Sequence, residues 1–202
     1  MDKTIIIAGL SILLFLGCTP PSTSSSNSPG GTPQQAASQL KPTTVNGVEL
    51  QPTNPVPGLE ILIPESFSEM DAATIATKYP GANRPTLVYT NETGAINIAI
   101  NHTQDKISPK QLTQLHQQLD TSIRQAHPKA NWMFSGFQHY HGRKWAQLEF
   151  QSDAVDAKIH NMMLATSAQG RMLLVTFNCT DEHASDWLDV GREIVKSAIF
   201  TD

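Results

Sequence analysis

The sequence predicts an α+β domain built on an antiparallel β-sheet flanked by helices. Two observations carry this. Stretches with apolar residues at every second position recur along the chain, four of them in succession between residues 132 and 179, each ended by turn-forming residues. Three other segments carry helix-boundary residues or apolar residues at helical spacing. The order that results is strand, helix, two strands, helix, four meandering strands, helix, which fits helices packed on an antiparallel sheet rather than a parallel nucleotide-binding fold.

The first strand is Leu59-Glu60-Ile61-Leu62-Ile63, stopped by Pro64. Residues 70–79 read as a short helix that ends before Pro80, because the residue ahead of a proline is pushed out of helical geometry. Residues 85–90 and 95–103 read as strands joined by the turn-forming Asn91-Glu92-Thr93-Gly94. In the second of them Ile96, Ile98 and Ile100 share one face while Asn97 and Asn101 lie on the other, which predicts a sheet with one buried side. Ser108-Pro109-Lys110-Gln111 opens the next helix: Ser108 caps it, Pro109 suits the first helical position and Gln111 completes a capping box. Leu112, Leu115, Leu119, Ile123 and Ala126 then form one stripe, and Pro128 closes the helix.

Residues 132–140 turn at His141-Gly142 into residues 144–152, where Ala146, Leu148 and Phe150 alternate with polar side chains. Residues 153–156 turn into 157–167, and Gln169-Gly170 turns into 171–179, whose Leu173, Val175, Phe177 and Cys179 share a face. The last helix starts near Asp181 and turns Trp187, Leu188, Gly191, Ile194, Val195 and Ala198 inward. Gly191 brings its backbone close to the sheet, so a replacement there should clash.

The N-terminus has a different character. Lys3 precedes an almost unbroken apolar run over residues 5–16, too short to cross a hydrocarbon core of about 30 Å as a helix. A charged start, a short apolar core and a small residue describe an export signal over residues 1–17. From residue 19 to residue 57 the chain is Ser, Thr, Pro, Gly, Gln and Asn, with charges only at Lys41 and Glu49. That composition offers little apolar surface to offset the entropy of ordering. Residues 18–57 therefore read as a flexible tether with a span of roughly 35 Å, and residues 58–202 as a single α+β domain. The net charge of −4, the pI of about 5.9 and the lack of any basic run argue against nucleic acid or a polybasic membrane contact.

Leu13-Leu14-Phe15-Leu16-Gly17-Cys18 resembles the lipobox of bacterial lipoproteins, with Phe15 where that family usually has leucine. The resemblance implies that Cys18 is lipidated (a palmitate-bearing anchor) and becomes the mature N-terminus; an ordinary secretory signal is the alternative. Thr19, rather than Asp, after that cysteine resembles outer-membrane sorting in enterobacteria, which implies an outer-membrane anchor with the domain in the periplasm. With Cys18 so used, Cys179 has no partner for a disulfide and is expected to be buried and inert. The sequons at Asn91, Asn101 and Asn178 then read as chance.

The strand ending in Pro64, Lys78-Tyr79-Pro80 followed by Arg84-Pro85, the hairpin over 91–100, Gly142-Arg143-Lys144-Trp145 and the amphipathic last helix together resemble the Mog1/PsbP-like superfamily. Within it, the sequence resembles bacterial lipoproteins of the DcrB and DUF1795 kind. The resemblance covers residues 58–200 and implies an α/β/α sandwich. It also implies a non-enzymatic role, because such domains mostly bind or assist larger assemblies, and it offers no catalytic residues to carry over. The function expected is an envelope lipoprotein that binds a protein partner or assists assembly, with no cofactor; a small-ligand or metal-binding periplasmic domain is the alternative.

His139 and His141, two apart, could share a strand face with His102 nearby and hold zinc or copper, but His141-Gly142 reads better as a turn, so no metal is expected. His183-Ala184-Ser185-Asp186 has the letters of a hydrolase triad without its nucleophile turn, and helix capping explains it. Glu149 and Asp153 could pair as acid and base, and more simply face solvent at a strand end. Tyr79 and Arg84 have two readings. In one, Tyr79 packs against the sheet edge and Arg84 is solvated. In the other, the proline-stiffened loop from Tyr79 to Pro85 presents Tyr79, Asn83 and Arg84 to a partner. Met162-Met163 reads as core filling.

Overall fold

The structure, a computed structural model, describes residues 38–81, 84–154 and 156–201. The elements follow in chain order: β1 (Thr43–Val45), β2 (Val48–Val56), β3 (Leu59–Pro64), β4 (Ser68–Glu69), α1 (Ala72–Lys78), β5 (Leu87–Thr90), β6 (Ile96–Lys106), α2 (Leu112–Ala126), β7 (Asn131–Tyr140), β8 (Arg143–Asp153), β9 (Lys158–Ala168), β10 (Arg171–Thr180), α3 (Ala184–Lys196) and β11 (Ile199–Phe200). Every strand pairing is antiparallel, and the strands form a seven-stranded sheet ordered β4-β5-β6-β10-β9-β8-β7 and a four-stranded sheet ordered β1-β2-β3-β11. The chain is thus α+β, as its patterning predicts.

Two-residue turns set the registers. Asn46-Gly47, His141-Gly142 and Gln169-Gly170 all have φ between 49° and 79° at both positions. This left-handed geometry matches the twist of a hairpin and suits Gly and Asn. The capping box at the head of α2 also forms: the Gln111 side chain accepts from the Ser108 N–H at 3.0 Å and from its hydroxyl at 2.8 Å.

One face of the large sheet carries α3 and β3. Here Ile96, Ile98, Ile100, Leu173, Val175, Phe177 and Cys179 meet Leu59, Ile61, Val190, Ile194 and Val195 in one continuous core. Gly191 lies so close to Phe177 that a Cβ would stand 2.4 Å from two atoms of its ring. The opposite face carries α2, whose Leu112, Leu115, Leu119 and Ile123 cover Ala146, Leu148, Phe150, Met163 and Ala165. It also carries α1, over a small cluster of Met70, Ile75, Tyr79, Val88 and Ala99.

Four expectations need correction. Residues 43–56 are not tether: they form the β1–β2 hairpin, with Leu50 fully buried and Val45, Val48 and Val56 packed on the large core. Four apolar side chains suffice because they enlarge an existing core rather than found one. The sheet is buried on both sides at β6, where Asn97 is fully buried beneath the end of α1. Ala126 is exposed, because the stripe of α2 runs off the sheet at Ile123. Glu149 is buried rather than solvated, held by Arg192. The signal over residues 1–17 and Cys18 lie outside the described residues. Among the described residues no helix is long and apolar enough to cross a membrane.

Candidate functional site

The most unusual chemistry sits where α1 ends on the large sheet. Asp71 starts that helix, accepting from the N–H groups of Ala73 and Thr74 at 3.0 and 2.9 Å. Seven residues later the helix delivers Lys78 to the interior. Its ammonium donates to the Gly94 carbonyl and, at 3.1 Å, to Asn97 Oδ1. Both partners are neutral. Burial without a counter-charge pulls its pKa down to about 8.

Lys78 ends a row of polar side chains that crosses five adjacent strands on the helix-bearing face. Thr90 donates to Asn97 Oδ1 at 2.9 Å; Asn97 donates to Asn178 Oδ1 at 3.0 Å; Asn161, paired with Asn178, donates to the Ser152 hydroxyl at 3.2 Å. Asn97 and Asn161 each find acceptors along this row, Asn97 at Asn178 and Asn161 at Ser152, which is what allows polar groups to stay inside a core. Tyr79 lies at the same end, 8% exposed, its hydroxyl beside Asn178 but without a hydrogen bond of normal geometry. Burial pushes this phenol up to about 12.

Of the three residues assigned to a partner surface, Tyr79 cannot serve: it is an anchor of the α1 cluster. Arg84 is exposed, with its carbonyl accepting from Asn101 at 3.4 Å, and Asn83 lies outside the described residues. The reading with Tyr79 packed and Arg84 solvated describes this corner. The residues that sequence reasoning passed over are Asn97 and Asn178, visible in the sequence as polar residues between apolar neighbours in two strands that prove to be adjacent.

Most of the other candidate groups have structural partners. His102 contacts the Ala168 carbonyl and Arg171, His141 contacts the Lys196 carbonyl, and His139 is exposed on β7. Among the described residues no three His, Cys, Asp or Glu side chains converge on a metal position. His183 lies near Glu182 at 3.7 Å while Ser185 donates to Asp186, so they form no triad. Glu149 pairs with Arg192 at 3.0 Å, and Asp153 is exposed. Cys179 stands opposite His160, whose Nε2 donates to Asp181 at 2.7 Å; burial drives the Cys179 thiol up to about 12, which makes it inert as expected.

No family model and no curated protein matches the sequence. Solved structures do. Cyanobacterial PsbP (CyanoP) from Synechocystis sp. PCC 6803 superposes with a TM-score of 0.54 at 15% identity, over 75% of this chain and 92% of that one. LpqN of Mycobacterium tuberculosis, involved in cell envelope biogenesis, gives 0.49 at 13% identity, over 77% and 92%. The first likeness establishes a PsbP-like fold for this chain and nothing finer.

Proposed function

We propose that this protein is a lipid-anchored bacterial envelope protein whose PsbP-like domain binds another envelope protein and catalyses no reaction. The observation that carries the reading is the union of two features: a PsbP-like fold and, ahead of it, a lipobox-like run ending at Cys18. Acyl chains on that cysteine would hold the domain at a membrane, each buried methylene contributing about 0.8 kcal/mol. The placement of the polar groups supports a binding role, since Glu149, His160 and Ser185 are engaged by neighbouring side chains and Cys179 is buried. The kinship with DcrB and DUF1795-type lipoproteins and the outer-membrane location belong to this proposal.

Fractionation with mass spectrometry of the N-terminus tests the anchor. The wild-type chain should sediment with membranes bearing acyl chains on Cys18, and Cys18→Ser should remain unacylated. In-cell crosslinking then tests the binding role: one specific envelope protein should be recovered with the wild type. Recovery of an unmodified soluble chain, with no specific partner, would overturn the reading.

A further inference from the structure

Both sheets end in edge strands, and they are unequal. β1, β4 and β11 are two or three residues long; β7 has ten. Short edges offer little to a foreign strand, whereas a long one exposes a row of unpaired backbone groups. β7 also lacks the usual protection: Asn-Trp-Met-Phe-Ser-Gly-Phe-Gln-His-Tyr contains no Lys, Asp, Glu or Pro. Its one irregularity, between Trp132 and Phe134, leaves a regular ladder from Phe134 to Tyr140. Met133, at that irregularity, is the one exposed large apolar side chain among the described residues.

The register states which groups are on offer. The two-residue turn makes Tyr140 and Arg143 a hydrogen-bonded pair, so the backbones of Gln138 and Gly136 also face β8, and those of Ser135, Phe137 and His139 face outward. The side chains around these three residues set the chemistry of an occupant. Lys144 places its ammonium 4.0 Å from the centre of the Phe137 ring, and Lys129 is exposed just before β7. The carboxylates beside the edge are already taken: Asp120 is committed to Arg124 and to the Ser135 hydroxyl, and Glu149, opposite Phe134, is committed to Arg192. On the α2 side of this edge Lys144 and Lys129 thus stand without an ion pair among the described residues, two positive charges in a chain of net charge −4.

From this geometry we infer that β7 is a docking edge that takes an extended, acidic segment of a partner protein as an added strand, paired along Ser135, Phe137 and His139. Backbone hydrogen bonds would supply affinity, and carboxylates set beside Lys144 would supply selectivity. The inference rests on the binding role proposed above and names its surface.

The test uses the full chain in detergent micelles with two ten-residue probes, one alternating Val and Glu, the other Val and Lys. Hydrogen exchange read by NMR should show the amides of Ser135, Phe137 and His139 slowed at least tenfold by the glutamate peptide and unchanged by the lysine peptide. His139→Pro removes an outward N–H at an exposed position, which an edge strand tolerates; it should abolish the slowing of the other two amides with thermal unfolding unaltered. Lys144→Glu should invert the preference between the peptides. The proposal is overturned if neither peptide slows these amides, if both do equally, or if slowing grows with protein concentration alone, which would assign the edge to a second copy. Crosslinking separates this failure from that of the function. An envelope protein still captured by His139→Pro would keep the partner and remove β7 as its surface; no capture by the wild type would remove the partner itself.

Discussion

The two faces of the seven-stranded sheet are built on different principles. Under α3 and β3 the packing is continuous and close enough that Gly191 has no room for a methyl group. Under α1 and α2 it is broken into two smaller clusters, and a row of amides and hydroxyls runs from Thr90 to Ser152 across the strands. Dispersion and apolar burial hold the first face. Side-chain hydrogen bonds between neighbouring strands hold part of the second. The first face is rigid by necessity, whereas on the second α1 is held by a five-residue apolar cluster that includes its own Ile75, and by its buried Lys78.

Substitutions in the continuous face should cost most. Phe177→Ala removes a fully buried ring from its centre and should destabilise by about 4 kcal/mol in urea unfolding. Gly191→Ala forces a methyl group into that same ring and should cost about 3 kcal/mol; the smaller side chain of Phe177→Leu should recover part of it in a double-mutant cycle. On the divided face, Ile75→Ala should cost about 2 kcal/mol, because a five-residue cluster at the sheet margin can partly close around the gap. Equal losses on the two faces would erase the distinction.

Lys78→Met should have the smallest effect at neutral pH and sharpens the comparison through its pH dependence. The folded-state pKa of Lys78 is lowered to about 8, from 10.5. Between those values the unfolded chain binds a proton that the folded chain has released, so this group's contribution to stability rises with pH across that window. Burial raises Cys179 to about 12, and that thiol pulls the other way above pH 9, so the informative quantity is wild type minus Lys78→Met. That difference should climb from pH 8 to 10.5; a flat line would mean that Lys78 is not buried as an uncompensated cation.

Much of the fold was legible because its signals are local. The capping box at Ser108, the turns at His141-Gly142 and Gln169-Gly170, and the alternation of β8 and β10 each appear in a few neighbouring residues. The close approach at Gly191 was legible too, from a glycine on the buried stripe of a helix. The β1–β2 hairpin was also written in the sequence, as Asn46-Gly47 between valines, but polar composition over residues 18–57 outweighed it. What could not be read is whatever depends on strand order. Asn97 and Asn178 become partners only because β6 pairs with β10, and Lys78 is buried only because α1 lies over that pair. Nor does the sequence reveal that Lys144 would lie over the Phe137 ring at the outer edge of the sheet.

Glu60 has a consequence beyond the core. Its carboxylate accepts from Ser38 Oγ and from the N–H groups of Gln39 and Leu40, while its backbone sits opposite Ile199 in the β3–β11 pairing. The two ends of the described chain therefore meet at one residue. A short linker from residue 200 to residue 38 could close the chain into a ring. Reopened at a surface turn between two strands, it would form a circular permutant with every strand pairing kept. The same convergence lets the domain be carried as an insert within a loop of a host protein, entering and leaving at one point.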